Sequence, residues 1–300
     1  MPQAPTTVFG GTGFLGSAIA RELATAGKPV RIAARNPVRP AWVAEAHAIE
    51  LVTADIRDEA GIARALEGAG AAVNAVSLYV ESAGLSFDDI HVQGAARLGR
   101  AAHNAGLEAL VQVSGIGVDP ASASRYVRAR TRGEQVVREA FPDAVMVRPS
   151  VLFGPGDAFL ATLARISRLP VIPLFGRGDT RLQPVLVDDV AKGIARLLDG
   201  AGGAQRIFEF GGAQILTYRE IVASVLARCG RRRLLLPVPF PVWRFLAALL
   251  KPLPGPPLTR DQVILMEQDN VVSGRAGTFA ELGVSARGLG EWLTSRRTQA

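Results

Sequence analysis

The sequence predicts an α/β fold in which a parallel, doubly wound sheet is followed by a smaller C-terminal α/β lobe. Short apolar runs alternate with alanine-rich helical stretches through the first half of the chain, and a glycine loop follows the first of these runs. After Pro149, glycine and proline interrupt the pattern. Nearly continuous apolar runs are typical of strands buried on both faces, and their alternation with helices indicates a parallel sheet.

Six strands and four helices are predicted before Pro149. The strands are Thr6–Phe9, Val30–Ala34, Ile49–Val52, Ala71–Ala75, Ala109–Ser114 and Ala144–Val147. The helices are Leu15–Ala26, Ala60–Glu67, Gln93–Asn104 and Tyr126–Ala140. A further strand and helix are expected within Gln183–Leu198, with Asp188 and Asp189 as helix caps. We assign residues 1–150 to the sheet domain, to which 183–200 return, and residues 151–182 and 201–300 to the smaller lobe.

Composition narrows the class of protein. Hydrophobic residues make up 48% of the 300 residues, which is enough for a well-buried core. The single cysteine, Cys229, excludes an intrachain disulfide, and the N-terminus does not resemble a signal peptide, so we expect a cytoplasmic protein. The net charge of +7 comes almost wholly from arginines that are scattered and not interleaved with aromatic residues, so no nucleic-acid partner is expected.

The glycine loop VFGGTGFLG predicts a dinucleotide site. Its glycines follow a strand and open a helix, as in Rossmann-type domains, where glycine allows a tight turn, close approach of backbone N–H groups to pyrophosphate, and helix–strand packing. The helix N-terminus adds a partial positive charge. The cofactor-binding candidates in the loop are Gly10, Thr12, Gly13, Phe14, Leu15 and Gly16.

The end of the second strand indicates which dinucleotide is preferred. An acidic residue there would accept hydrogen bonds from the ribose 2′-hydroxyl of NAD, but this segment reads RIAARNP and carries Arg35 instead. Arginine suits a 2′-phosphate through charge and bidentate geometry, which favours NADP(H) over NAD(H). The alternative is that Arg35 is an ordinary surface arginine.

Residues after the third and fourth strands complete the predicted cofactor cleft. Asp55 could accept a hydrogen bond from the adenine amine, or it could be a turn or helix-cap aspartate. The backbone of Asn74, Ala75 and Val76 lies where a fourth strand commonly passes beneath the adenosine ribose. His47 and His103 have no ligating partners at metal-site spacing, so no metal is expected.

Taken together, these motifs resemble the extended or atypical form of the short-chain dehydrogenase/reductase superfamily, also described as NAD-dependent epimerase/dehydratase-like. The resemblance is carried by GGTGFLG, ADI with Asp55 and Ile56, VQVSGIG, YVRAR, VRPSVLFGP with Pro149, and QPVLVDDVA, in that order. It implies that Ile56 and Pro149 also line the cofactor site. It further implies that Ser114 hydrogen-bonds a substrate oxygen while Tyr126 is the general acid/base.

Arg130 departs from the pattern of this superfamily. Active members carry a lysine one helical turn after the tyrosine, which binds the nicotinamide ribose and lowers the tyrosine pKa. Arginine at this position keeps the charge but is larger, planar and not deprotonated. His91 in IHVQG also replaces a common asparagine. These two departures argue against efficient dehydrogenase chemistry, although arginine outnumbers lysine throughout the chain.

A narrower resemblance extends over nearly the whole chain. Residues 142–154, Arg181–Val190 and PGPPLTRDQVILMEQDNVV are similar to the nicotinamide-nucleotide-binding accessory subunit of mitochondrial complex I and its bacterial relatives. The run RRRLLLPVPFPVWRFLAALLKPLPGPP is broken by prolines, so it is not expected to span a membrane. It is either a buried strand and helix of the small lobe, which we favour, or a surface for lipid, quinone or a membrane-bound partner.

Two functions follow as hypotheses. The first is a protein that holds NADP(H) as a structural or sensing ligand, located in the cytoplasm or peripherally on the inner face of a membrane. The second is an NADPH-dependent oxidoreductase that acts on a carbonyl or quinone-like substrate, with Tyr126, Ser114 and Arg130 as its catalytic residues. Arg35, Arg130 and the apolar C-terminal lobe disfavour a third, nucleotide-sugar epimerisation.

Overall fold

A computed structural model describes residues 4–43, 48–82, 84–253 and 255–295 of the chain. Its centre is a seven-stranded sheet in which every neighbouring pair of strands is parallel. The strands of this sheet are β1 (Thr6–Phe9), β2 (Val30–Ala34), β3 (Ile49–Thr53), β4 (Ala71–Asn74), β5 (Ala109–Val113), β6 (Val145–Pro149) and β11 (Ile207–Phe210). Their spatial order is β11-β6-β5-β4-β1-β2-β3, which is doubly wound about β1 and confirms the predicted fold class.

Helices cover both faces of this sheet. They are α1 (Phe14–Thr25), α2 (Glu59–Leu66), α3 (Ala95–Asn104), α4 (Arg125–Ala140) and α6 (Val187–Leu198). One core cluster contains α1 and α6 packed on Val8, Ile32 and Val147, and the other contains Phe9, Leu110 and Met146 with α2 and α3. Alternate residues of each central strand therefore enter opposite cores, which explains why these strands are apolar at nearly every position.

The remaining elements form the smaller lobe beside the C-terminal ends of the strands. They are β7 (Leu152–Phe153), α5 (Ala158–Ile166), β8 (Val171–Phe175), β9 (Arg181–Leu182), β10 (Val185–Leu186), β12 (Leu216–Thr217), α7 (Tyr218–Arg228), β13 (Leu234–Val238), α8 (Phe240–Leu250), α9 (Arg260–Leu265) and α10 (Leu289–Ser295). A third core cluster, with Phe153, Ile172 and Ile221 at its centre, holds this lobe together. Trp292 packs on Phe153 there, with ring centroids 5.5 Å apart, and Cys229 is half-buried at the end of α7.

Three sequence expectations need correction. Asp188 and Asp189 lie in the first turn of α6 and do not cap it; Asp188 accepts from Arg21 and buried Asp189 from Arg287. Residues 207–210, which fell in the stretch assigned to the small lobe, form β11 at the edge of the central sheet. The run after Arg233 does form a strand and a helix, β13 and α8, but neither is fully buried. These elements are short and are separated by turn glycines and polar connections. The pattern of apolar residues therefore does not show where each of them packs.

A buried ion cluster fixes α4 to the sheet. The Arg148 guanidinium on β6 donates to both carboxylate oxygens of Glu134 on α4, at 2.9 and 2.7 Å, and lies 3.6 Å from Glu209 on β11. Burial works against its charge, but the hydrogen bonds and charges of the two glutamates raise the pKa of Arg148 above its ordinary value. One cation thus pairs with two buried carboxylates from different elements.

No helix in the described part of the chain has the length and apolar character needed to cross a membrane.

Candidate functional site

The glycine loop turns sharply between β1 and α1. Gly10 has a φ of 73°, in the left-handed region that favours glycine, and a Cβ there would lie 3.0 Å from the carbonyl oxygen of Ala75. A Cβ on Gly16 would collide with the Gly10 carbonyl oxygen, so only glycine lets α1 start this close to the turn. Gly13 precedes α1 without a side-chain cap, which leaves the helix N-terminus open toward the cleft.

The other loop residues differ in exposure. Thr12 and Phe14 are exposed, whereas Leu15 is buried in the core beneath α1. A Cβ on Gly154, in the VLFGP segment, would lie 3.4 Å from the Phe14 ring, so the loop reaches the residue that follows β7. Pro149 ends β6 and pairs with Phe210 of β11. The structure therefore brings the glycine loop and the VRPSVLFGP segment together at one edge of the sheet.

Arg35 and Asp55 follow neighbouring strands at that edge. Arg35 is exposed just after β2, and its charge contributes to a lowered Asp55 pKa. The main cause of that lowering is the side-chain hydrogen bond from Arg57, whose Nη2 lies 2.7 Å from Asp55 Oδ2. Asp55 also accepts from the backbone N–H of Arg57 at 2.9 Å, as a turn aspartate does. Both roles considered for Asp55 remain open, since one carboxylate can hold a turn and still face a ligand.

The residues predicted beneath the ribose lie beside the glycine loop. Asn74 is buried at the end of β4. Its side-chain Nδ2 donates to Gln112 Oε1 at 2.8 Å, and its side-chain Oδ1 accepts from the backbone N–H of Val76. Ala75 donates its N–H to Phe9. The Ile56 side chain is buried in the core against Gly94, so any ligand contact at this residue must use its backbone.

Tyr126 and Arg130 are paired on α4 as their spacing predicts. Arg130 Nη1 donates to the Tyr126 hydroxyl at 2.5 Å, and the guanidinium carbon lies 5.2 Å from the ring centroid. Burial raises the pKa of Tyr126 to about 12, and the charge of Arg130 only partly opposes this. At neutral pH the hydroxyl therefore keeps its proton, as a weaker acid than free tyrosine.

Ser114 follows β5 at the same edge of the sheet. Its Oγ is buried and, among the described residues, has no hydrogen-bond partner. A Cβ on the next residue, Gly115, would lie 2.8 Å from Arg130 Nη1, so the guanidinium fills the space beside Gly115. Arg130 therefore lies between the Tyr126 hydroxyl and the residue that follows Ser114. A buried hydroxyl without a partner costs free energy, and such groups are common at functional sites.

His91 lies in an irregular helix, and its ring packs against the ring of Tyr126. Residues Asp88–Gly94 form a π-helix that leads into α3, whereas the sequence pattern predicted a regular helix from Gln93. The His91 ring is 5.5 Å from the Tyr126 ring, edge to face, and its Nε2 is 2.9 Å from the Leu78 carbonyl oxygen. Burial, together with the Arg130 charge, lowers the pKa of His91 to about 4, so the ring is neutral at physiological pH.

Sequence reasoning missed the residues that enclose Tyr126. Tyr79 and Phe87 pack on its ring at 5.7 and 5.5 Å, and Asp261 on α9 contacts the start of α4. The Asp261 carboxylate accepts from Ser124 Oγ at 2.5 Å and from the Tyr126 backbone N–H at 3.3 Å. The segment TRDQ shows only a helix start, and nothing in it indicates a contact 135 residues away. This carboxylate joins the small lobe to the helix that carries Tyr126.

Metal ligands are not assembled in the part of the chain that the structure describes, where no group of three or more His, Cys, Asp or Glu residues could hold an ion. His103 contacts the Phe141 ring edge to face, and His47 lies outside the described residues.

This arrangement of loop, strand ends and helix matches a known family over most of the sheet. The model of the NAD dependent epimerase/dehydratase family aligns with residues 6–211, well over half of the chain. The chain belongs to this family. The resemblance to extended short-chain dehydrogenases/reductases expected from the sequence is thereby confirmed. Epimerase/dehydratase members share the fold: the Thermus thermophilus UDP-glucose 4-epimerase in complex with NAD superposes with a TM-score of 0.63 at 22% identity, covering 78% of this chain and 86% of the other.

Two relatives of this epimerase/dehydratase family protein bear on its function. It is 30% identical over 292 residues to the mitochondrial NADH dehydrogenase [ubiquinone] 1 alpha subcomplex subunit 9 of Arabidopsis thaliana, which covers 92% of this chain and 73% of the relative. It is 32% identical over 186 residues to the ceramide reductase of Caulobacter vibrioides, covering 61% of this chain and 57% of the relative. The narrower resemblance to the complex I accessory subunit is also confirmed, and reductases are among the homologues.

Proposed function

We propose that the protein binds NADP(H) in the glycine-loop cleft and holds it as a structural or sensing ligand. The observation that carries this proposal is the state of Tyr126, which is buried, accepts a hydrogen bond from Arg130 and has a pKa raised to about 12. Acid–base catalysis is most efficient when the pKa of the group lies near the working pH. A guanidinium that is never deprotonated also cannot relay a proton from the tyrosine to solvent. The likeness to a complex I subunit supports a non-catalytic role.

A second candidate function is NADPH-dependent reduction of a carbonyl or quinone-like substrate. It is favoured by the buried Ser114 hydroxyl, which has no hydrogen-bond partner among the described residues and is suited to donate to a substrate oxygen. In this reaction NADPH supplies a hydride to the carbonyl carbon when bound. Tyr126 would give its hydroxyl proton to the carbonyl oxygen, and Arg130 would stabilise the resulting phenolate. The relative named as a ceramide reductase supports this candidate.

One experiment separates the two candidates. NADPH should raise the melting temperature of the protein, because a ligand that binds only the native state stabilises it by mass action. NADPH oxidation with aldehyde and short-chain quinone acceptors should be equally slow for the wild type, Tyr126→Phe and Arg130→Lys. Turnover that Tyr126→Phe abolishes and Arg130→Lys preserves or increases would replace the binding proposal by the reductase. An unchanged melting temperature at saturating NADPH would contradict both candidate functions.

The preference for NADP(H) over NAD(H) is part of the proposal and depends on Arg35. A charge-assisted hydrogen bond to a phosphate contributes about 1.5–3 kcal/mol. We therefore expect Arg35→Ala to weaken NADPH binding by about tenfold or more while leaving NADH binding nearly unchanged, in titrations followed by nucleotide fluorescence. Arg165→Ala, an exposed arginine of α5, is the matched control for lost charge. Equal loss of both nucleotides in Arg35→Ala would contradict the preference.

Location, domain division and partners complete the proposal. We assign the protein to the cytoplasm, peripherally on the inner face of a membrane. Residues 1–150 and 183–200, together with strand β11, form the nucleotide domain, and the small lobe is the partner-binding part. The expected partner of that lobe is a membrane-associated protein, a quinone or a lipid surface. The relative named as subunit 9 of the mitochondrial NADH dehydrogenase, which matches nearly the whole chain, supports a partner within a larger protein complex.

A further inference from the structure

The outer side of the small lobe is apolar where a surface is normally polar. Large hydrophobic side chains are exposed along β13, along α8 and just after it. We call these residues the outer apolar face: Leu234 (65% exposed), Leu236 (47%), Val242 (45%), Phe245 (67%), Leu249 (64%) and Leu253 (49%). Single exposed hydrophobic residues need no explanation, but six large ones within one short segment, Leu234–Leu253, indicate an interaction surface.

Helix α8 is apolar on both of its sides. Its inner side packs on the lobe, with Trp243 donating to the Leu174 carbonyl oxygen at 3.0 Å and stacking near Phe175. Its outer side carries apolar residues at spacings of three and four, all of them exposed: Pro241, Val242, Phe245, Ala248 and Leu249. A surface helix of a water-soluble domain should be polar on that side. The second apolar stripe therefore does not pack on the part of the chain that the structure describes.

The segment that carries the outer apolar face is basic. From Arg228 to Arg260 the sequence contains seven basic residues and no acidic one, and of these Arg244 is paired with Glu267. Arg231 and Arg233 bind the end of α5 through Ser167, whereas exposed Arg232 shares one side of the chain with Leu234 and Leu236. Exposed Lys251 follows the end of α8. Basic residues bordering exposed leucine and phenylalanine fit the boundary of an anionic bilayer.

We propose that the outer apolar face inserts into the headgroup region of an anionic phospholipid bilayer, with Arg232 and Lys251 on the lipid phosphates. This deepens the partner assignment of the proposed function, but it does not depend on the fate of the dinucleotide. The outer apolar face is also close to the elements that surround Tyr126. Helix α8 packs on α9, Arg244 pairs with Glu267 beyond α9, and Asp261 of α9 contacts α4 at Tyr126. A bilayer bound here lies one helix away from the Tyr126 helix.

Vesicle co-sedimentation of the full chain tests the proposal. We expect binding to phosphatidylcholine vesicles that contain phosphatidylglycerol, weaker binding to pure phosphatidylcholine, and a decline with added salt. Phe245→Glu with Leu249→Glu should reduce binding at least about tenfold, because two apolar anchors are replaced by charges that the lipids repel. Val38→Glu, at a residue of the nucleotide domain that is 70% exposed, is the matched control and should bind like the wild type.

Other outcomes overturn the proposal. Failure of the wild type to sediment with anionic vesicles, or undiminished binding by the double variant, excludes a lipid contact at this face. If the wild type does not bind vesicles but forms concentration-dependent dimers, and the double variant does not form them, the face is a protein interface instead. The NADPH-induced rise in melting temperature, measured without vesicles, must persist in the double variant. That measurement shows that the variant is folded and separates failure of this proposal from failure of nucleotide binding.

Discussion

Gly16→Ala should remove NADPH binding, with an affinity loss of about a hundredfold or more. The added Cβ would collide with the Gly10 carbonyl oxygen, and the backbone cannot move aside as a flexible side chain could. Helix α1 must then shift away from the turn, which withdraws the N-terminal N–H groups from the position where they would meet pyrophosphate. The measurement is the NADPH-dependent rise in melting temperature, together with a fluorescence titration.

Gly290→Ala is the control for this substitution. Gly290 also lies in a helix, α10, but a Cβ there meets no atom within 4 Å. Its NADPH binding should equal that of the wild type, and its stability should rise slightly because alanine favours helix more than glycine does. If Gly16→Ala folds, by circular dichroism, and still binds NADPH with wild-type affinity, the glycine loop is not the nucleotide site.

Arg148→Met should lower the free energy of unfolding by about 3–5 kcal/mol, because it leaves Glu134 and Glu209 buried without a counter-charge. Urea denaturation at neutral pH measures this change. Arg181→Met removes a comparable arginine from a more exposed pair with Asp269, and it should cost no more than about 1 kcal/mol.

A third variant keeps this prediction testable if Arg148→Met does not fold. Adding Glu134→Gln and Glu209→Gln removes the two uncompensated charges and should recover much of the lost stability. If the combined variant is no more stable than Arg148→Met, the loss comes from packing of the arginine side chain and not from buried charge.

Most strands of the sheet could be predicted well because they are buried on both faces, although the edge strand β3 is largely exposed and was recognised from its apolar, β-branched residues. Two strands, Thr6–Phe9 and Val30–Ala34, have the bounds that the apolar runs predict. Strand β11 could not be assigned to the sheet, because its partner β6 lies about sixty residues earlier and a short run carries no sign of its neighbour. The π-helix before α3 was equally hidden, since its side chains follow no distinct period.

The site divides in the same way. The tight turn at Gly10 and Gly16 and the pairing of Tyr126 with Arg130 could be predicted from sequence, because they depend on spacing along one turn or one helix. Their roles in binding or catalysis stay predictions. Asp261 could not, because its contact joins elements far apart in the chain. The exposure of α8 was also mispredicted, since an apolar run has the same appearance whether it faces a protein core or a surface that something else covers.

The hydrogen bonds from Ser124 and Tyr126 to Asp261 have an energetic consequence. One carboxylate of the small lobe accepts hydrogen bonds at the first turn of the helix that carries Tyr126. The position of α9 and the order of that turn are therefore energetically coupled. A ligand that orders the Tyr126 turn must also favour the lobe position that supplies the carboxylate. By thermodynamic reciprocity, if contact of α9 with α4 changes the dinucleotide affinity by some factor, dinucleotide binding changes the equilibrium constant for that contact by the same factor.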